Sequence, residues 1–208
     1  CSLAAEYNNV EDAKHVQTKI SHLIGTAELV FAAGESSALH SEKSPSGTQI
    51  PDEVLTNAGR RLAGENIYEE YKILADITGG IMATLPYINT FTDTKFGDLG
   101  LKYMQRNPRM SAEDGVKIIK GIETLGCSDI GGVLQVAGLH GGGSPQMETI
   151  AMMGRYPQRD LKKIAKYLFG LKTRAPRFER SEEPVTPRML LKRYRKAMKF
   201  KHKDDNEE

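Results

Sequence analysis

Apolar residues recur every three or four positions along most of this chain. Between Val10 and His40, residues Val16, Ile20, Leu23, Ile24, Ala27, Leu29, Val30 and Phe31 form an i, i+3/i+4, i+7 stripe that widens toward the C-terminal end. Ser41 to Gln49 is a polar loop of Ser, Pro and Gly. Pro51 suits the first position of a second helix, with Asp52 and Glu53 in its first turn, where acids complement the helix dipole. The apolar period then runs through Leu55, Leu62, Ile67, Tyr71 and Leu74 to Asp76 and stops at Gly79-Gly80. Ile81 to Pro86 reads as a short irregular exit.

A third helix is predicted over about Lys95 to Arg106. Ser111 with Asp114 three residues on reads as an N-cap opening a helix through Ile118, Ile119, Ile122 and Leu125. Gly126-Cys127 breaks it, and Ser128 or Asp129 caps a short helix to about Val136. Gln146–Met153 and Gln158–Leu171 give two more helices, parted by Arg155-Tyr156-Pro157. No run alternates polar and apolar residues, so the body is expected to be all-α, an up-and-down bundle. Gly59, Gly64, Gly97, Gly100, Gly115 and Gly121 fall inside helical segments at a cost of about 1 kcal/mol each relative to alanine. Close packing of helices on one another or on a second chain would offset that cost.

Between two of these helices lies Leu139-His140-Gly141-Gly142-Gly143-Ser144-Pro145-Gln146. Ser144 can cap the following helix, with Pro145 at its first position. Two readings stand: a tight helix–helix connection, or a loop without Cβ atoms whose N–H groups converge on an anion such as a phosphate. His15 and His22, seven apart, lack the further ligands that zinc requires and read as structural or surface residues. Glu65, Glu69 and Glu70 read as a solvated helix side. Arg60-Arg61 suits a phosphate or an acidic neighbour.

Composition narrows the class. Hydrophobic residues make up 39% and charged residues 27%, as in a soluble globular chain. No apolar run reaches the ~18–20 residues of a transmembrane helix, and no charged-then-apolar leader opens the sequence. Two cysteines, Cys1 and Cys127, make no disulfide framework, which fits a cytoplasmic protein. They also fall short of the four ligands of an iron–sulfur cluster. Residues 1–171 carry 17 Lys+Arg against 20 Asp+Glu, and residues 172–208 carry 12 against 7. The expected organisation is a helical body over 1–171 and a basic tail over 172–208, either docked on an acidic surface or partly disordered. The acidic end of that tail argues against a nucleic-acid role. With no initiator methionine, the chain reads as a fragment, a processed product or one piece of a split protein.

Three motifs in order resemble one family. Ala4-Ala5-Glu6-Tyr7-Asn8-Asn9-Val10 with Lys14-His15-Val16, then Asp76-Ile77-Thr78-Gly79-Gly80-Ile81-Met82-Ala83-Thr84-Leu85-Pro86, then His140 to Gln146, resemble the flavoprotein family of 4-hydroxybutyryl-CoA dehydratase and 4-hydroxyphenylacetate 3-monooxygenase. The last motif leans toward the dehydratase branch, with Gly142 in place of its alanine. The resemblance covers about residues 3–171 and implies the C-terminal helical domain of an acyl-CoA-dehydrogenase-like fold. It further implies tetramers built as dimers of dimers, with FAD held between this bundle and N-terminal and middle domains or a separate subunit. The substrate would be an acyl-CoA or an aromatic compound. Gly79, Gly80, Thr84, His140, Gly141, Gly142, Gly143 and Ser144 are the cofactor-binding residues it suggests. No catalytic residue is assigned. The [4Fe–4S] cluster of the dehydratases finds no ligands here, and Ala137 stands where they carry an acid/base carboxylate. An isolated chain of this kind is expected to be inactive. A non-catalytic oligomerisation module is the third reading.

Overall fold

A computed structural model describes residues 1–93 and 95–171. Its eight α-helices are α1 (Ser2–Tyr7), α2 (Lys14–Leu39), α3 (Glu53–Ile77), α4 (Gly97–Met104), α5 (Ala112–Cys127), α6 (Asp129–Gly142), α7 (Pro145–Arg155) and α8 (Gln158–Leu168). Two 3-10 turns, Ile81–Ala83 and Ile88–Phe91, lie between α3 and α4. The expected polar loop after α2 carries a two-residue antiparallel hairpin, β1 (Glu42–Lys43) against β2 (Gln49–Ile50). Strands so short and polar leave no alternation to read. The chain forms two compact units, Cys1–Met152 and Met153 onward. The expected basic tail over 172–208 lies outside the described residues.

Helix ends follow local chemistry. Asp52, not Pro51, begins the second long helix: its carboxylate accepts from the Leu55 N–H at 2.9 Å, so Pro51 stands outside. Ser111 and Ser128 cap α5 and α6 by accepting from Asp114 and Gly131. The exit from α3 is a left-handed glycine pair, Gly79 at φ +66° and Gly80 at φ +77°.

The core of the first unit has two parts that meet at α1. Tyr7, Phe91, Met104, Ala112, Val116 and Ile119 form one; Ala4, Ala5, Val16, Ile73 and Ile77 form the other, and Ile122 packs against both. Ala4 and Ala5 are fully buried and the Tyr7 ring is 1% exposed. The Tyr7 hydroxyl donates to the Met104 carbonyl at 3.1 Å. A Cβ on Gly115 would stand 2.5 Å from the tyrosine ring, so that helical glycine makes room for it. Around the wedge, Asn8 donates to the Ile77 carbonyl, the buried Asn107 donates to the Glu6 carbonyl, and Arg109 pairs with Glu11. The Ala-Ala-Glu-Tyr-Asn motif is therefore a folding element.

Helices α2 and α3 pair antiparallel: Ala33 meets Gly59, where a Cβ would come within 2.9 Å, while Lys19 near the other end pairs with Asp76. Gly97 and Gly100 are held tight by Phe91; Gly121 has open space around it. The apolar stripe of α2 is wider than this chain covers. Val16 is buried, whereas Ile24, Leu29 and Phe31 are 58–63% exposed.

Burial pushes the Glu70 carboxyl above the ordinary glutamate range, with the nearby His22 charge opposing it. A raised carboxyl binds its proton more tightly in the folded chain, so its contribution favours folding below the ordinary range. That contribution is lost as pH rises from 4.5 through the raised value. Glu70→Gln is expected to melt higher than the native chain at pH 7 and to lose the advantage near pH 4, as thermal unfolding at the two pH values would read.

Candidate functional site: the outward face of the sixth helix

Helix α6 is built inside out. Its inward side is glycine-rich: Gly131 abuts the Leu125 backbone, Gly138 leaves 2.9 Å between an ideal Cβ and Ile67, and the Gly142 carbonyl accepts from Arg60. Its outward side carries Ile130, Val133, Leu134 and Val136, each 47–64% exposed, with Ala137 and His140 exposed beside them. A helix packed on one face normally turns its apolar side inward. Here the close approach permitted by glycine replaces side-chain burial, and the aliphatic side is an open surface of one helix. Cys127, Ser128 and Asp129 lie at one end of this surface, Gly132, Val133, Val136 and Ala137 along it, and His140 at the other. A helical wheel of Asp129–Gly142 separates these two sides in the sequence. Ending the helix near Val136 concealed it.

That shorter helix is the main correction to the sequence reading. Helix α6 runs on through His140, Gly141 and Gly142, and only Gly143 adopts a positive φ, at +89°. The Gly143 N–H donates to the His140 carbonyl, closing the helix. Gly141 and Gly142 are therefore helical backbone, not an open cradle. Ser144 does begin α7, its hydroxyl 3.5 Å from the Met147 N–H, with Pro145 at the first helical position.

At the other glycine pair, both N–H groups are already engaged. Gly79 donates to the Asp76 carbonyl at 2.9 Å and Gly80 to the Ala75 carbonyl at 3.0 Å, ending α3. What the pair presents is an exposed backbone surface with open space where side chains would stand. The Thr84 hydroxyl nearby is exposed and makes no hydrogen bond among the described residues. Lys19 holds the Asp76 carboxyl below the ordinary range by hydrogen bond and charge. Among the described residues no three His, Cys, Asp or Glu gather as metal ligands, and no helix is long and apolar enough to cross a membrane.

Arg60 and Arg61 meet acidic and backbone partners. Arg60 faces the buried carboxylate of Glu148 at 3.9 Å; Arg61 pairs with Glu65 and donates to the Thr149 hydroxyl, both at 2.7 Å. Glu69 pairs with Lys72.

The described residues form an all-α bundle in which several helical glycines are packed tightly while the aliphatic side of α6 faces outward. Residues 1–170 match the family described as HpaB, 4-hydroxyphenylacetate 3-hydroxylase C terminal, and the chain belongs to that family. Over 181 residues it is 26% identical to the 4-hydroxybutyryl-CoA dehydratase/vinylacetyl-CoA-Delta-isomerase of Clostridium aminobutyricum, covering 82% of this chain and 36% of that protein. The solved oxygen-tolerant archaeal 4-hydroxybutyryl-CoA dehydratase from N. maritimus is similar at TM-score 0.76 and 27% identity, over 91% of this chain and 37% of that one. The oxygenase component of 4-hydroxyphenylacetate 3-monooxygenase, solved with FAD and 4-hydroxyphenylacetate, shares the fold at TM-score 0.73 and 20% identity, over 81% and 35%. The chain thus spans little more than a third of the length of these proteins.

Proposed function

We propose that this chain is the C-terminal helical part of a flavin-dependent enzyme resembling 4-hydroxybutyryl-CoA dehydratase, in which it closes the FAD and acyl-CoA site. The outward aliphatic face of α6 carries this reading. An exposed wall of valine and leucine between Asp129 and His140 suits a flat, largely apolar group such as an isoalloxazine ring or an acyl chain. FAD would supply the redox chemistry of the complete enzyme.

This chain's residues fit such a group in a limited way. Gly79 and Gly80 offer close approach without side chains but not free N–H donors, and the helix end behind them carries the negative end of the dipole. Thr84 contributes a hydroxyl, and the cations and remaining donors come from other domains or a partner subunit. Likewise, the uncovered Ile24, Leu29 and Phe31 on α2 suit contact with another subunit, in keeping with a dimer of dimers.

Identity favours the dehydratase over the monooxygenase, at 26–27% against 20%. Cofactor analysis of the complete protein tests both. The dehydratase reading expects FAD together with iron and acid-labile sulfide, the cluster bound by residues outside this chain. FAD without iron would favour a flavin-dependent aromatic hydroxylase. A complete protein that bound no flavin would overturn the proposal in favour of a non-catalytic oligomerisation module.

A further inference from the structure

The glycine run singled out in the sequence is occupied from within the chain. Five residues of α3 (Asn57, Arg60, Arg61, Gly64 and Ile67) share one face at helical spacing. Four of them meet the α6–α7 corner directly. Ile67 lies against Gly138, Gly64 against Leu139, Arg60 against Gly142 and Arg61 against Thr149, while Asn57 accepts from Arg60 at 3.4 Å.

Arg60 stands at the centre of this ladder. Its Nε donates to the Gly142 carbonyl at 2.7 Å, one of the last carbonyls of α6, which has no partner within the helix. The positive charge there also complements the dipole of α6. The same Nε lies 3.9 Å from Glu148, a carboxylate in the first turn of α7 whose residue is only 3% exposed. Arg60 thus sits between the negative C-terminal end of α6 and the Glu148 carboxylate in the first turn of α7. Gly143 is required by its backbone. Its φ of +89° and ψ of −169° belong to glycine alone, and the Arg60 guanidinium lies in the space where a Cβ would stand.

We propose that Arg60 is a positioning residue that fixes the corner between α6 and α7, and with it the placement of His140 and the outward wall of α6. This inference rests on the reading of that wall as part of the flavin site. It gives the run of glycines a different purpose from an anion cradle, since Gly143 seats a cation of the chain itself. Lysine cannot substitute: an ammonium lacks the planar fork that reaches the Gly142 carbonyl while lying against Glu148 and Asn57.

The test uses the complete flavoprotein carrying Arg60→Lys, Arg60→Gln, or Arg60→Gln with Glu148→Gln. Thermal unfolding, the bound-flavin absorbance spectrum and FAD affinity are measured for each. Arg60→Lys is expected to fold, shift the flavin absorbance bands and weaken FAD about tenfold, because a displaced wall no longer meets the ring in register. Glu148→Gln should restore much of the melting temperature lost in Arg60→Gln, since it removes a buried charge left without its partner. It should not restore the spectrum, because Gly142 remains unheld. A native flavin spectrum and FAD affinity in Arg60→Lys would overturn the inference. So would failure of Arg60→Lys to fold, which would make Arg60 a determinant of folding. Val136→Arg separates this outcome from failure of the underlying reading. If Val136→Arg weakens FAD and Arg60→Lys does not, only the positioning role falls; if neither does, the wall itself has been misread.

Discussion

Tyr7→Ala is expected to cost about 3–5 kcal/mol of folding stability, the range for removing a large aromatic side chain from a packed core. Tyr7 is 1% exposed and joins α1 to Phe91, Met104, Val116 and Ile119. Gly115 and Met104 shape its cavity from two sides, so little can collapse into the space left behind. Arg106, whose guanidinium lies 5.7 Å from the ring centre, would lose its stacking partner as well. For a chain of this size the melting temperature should fall by about 10 °C. Tyr7→Phe is the informative companion. It removes only the hydroxyl bond, worth about 1 kcal/mol, and the Met104 carbonyl keeps the Arg106 N–H at 3.1 Å. Calorimetry of both variants checks the argument: equal losses would mean that the hydrogen bond, not ring packing, holds the wedge.

The sequence foretold the parts of this fold that are decided locally. Ser111 capping α5, Gly79-Gly80 ending α3 and Ser144-Pro145 opening α7 all follow from the chemistry of a few adjacent residues. Its misreadings of the α6–α7 corner and of the α2 stripe share one cause, packing between residues far apart in the chain. Gly141 and Gly142 looked like part of a turn because glycine disfavours helix in isolation. Ile67 against Gly138 and Arg60 on Gly142, 82 residues away, hold that segment helical. The apolar stripe of α2 was legible as a stripe, but nothing in its spacing told that Val16 is covered while Phe31 is not. The candidate site divided in the same way. His140 and the two glycine segments stood out as motifs, whereas the inward glycine side of α6, which leaves its aliphatic wall facing out, was legible only once the helix was seen to continue past Val136.

Val136→Arg should have the largest effect on cofactor binding. Val136 is 64% exposed and points away from the bundle, so the larger side chain meets no neighbour in this chain and the helical part should melt as before. In the complete protein the same guanidinium would be buried against an apolar ring or acyl chain without a partner, which costs several kcal/mol. FAD affinity is then expected to fall at least tenfold, about 1.4 kcal/mol or more. Val136→Ala, which keeps the wall apolar, should bind nearly normally. Thr84→Val, at the second segment, should weaken FAD more mildly, by the worth of one hydrogen bond, about 1 kcal/mol. The most direct measurement is a fluorescence titration of FAD into the complete protein, native against Val136→Arg, with melting temperatures recorded alongside. Binding at least tenfold weaker at an unchanged melting temperature is expected. Unchanged FAD affinity in Val136→Arg would contradict it.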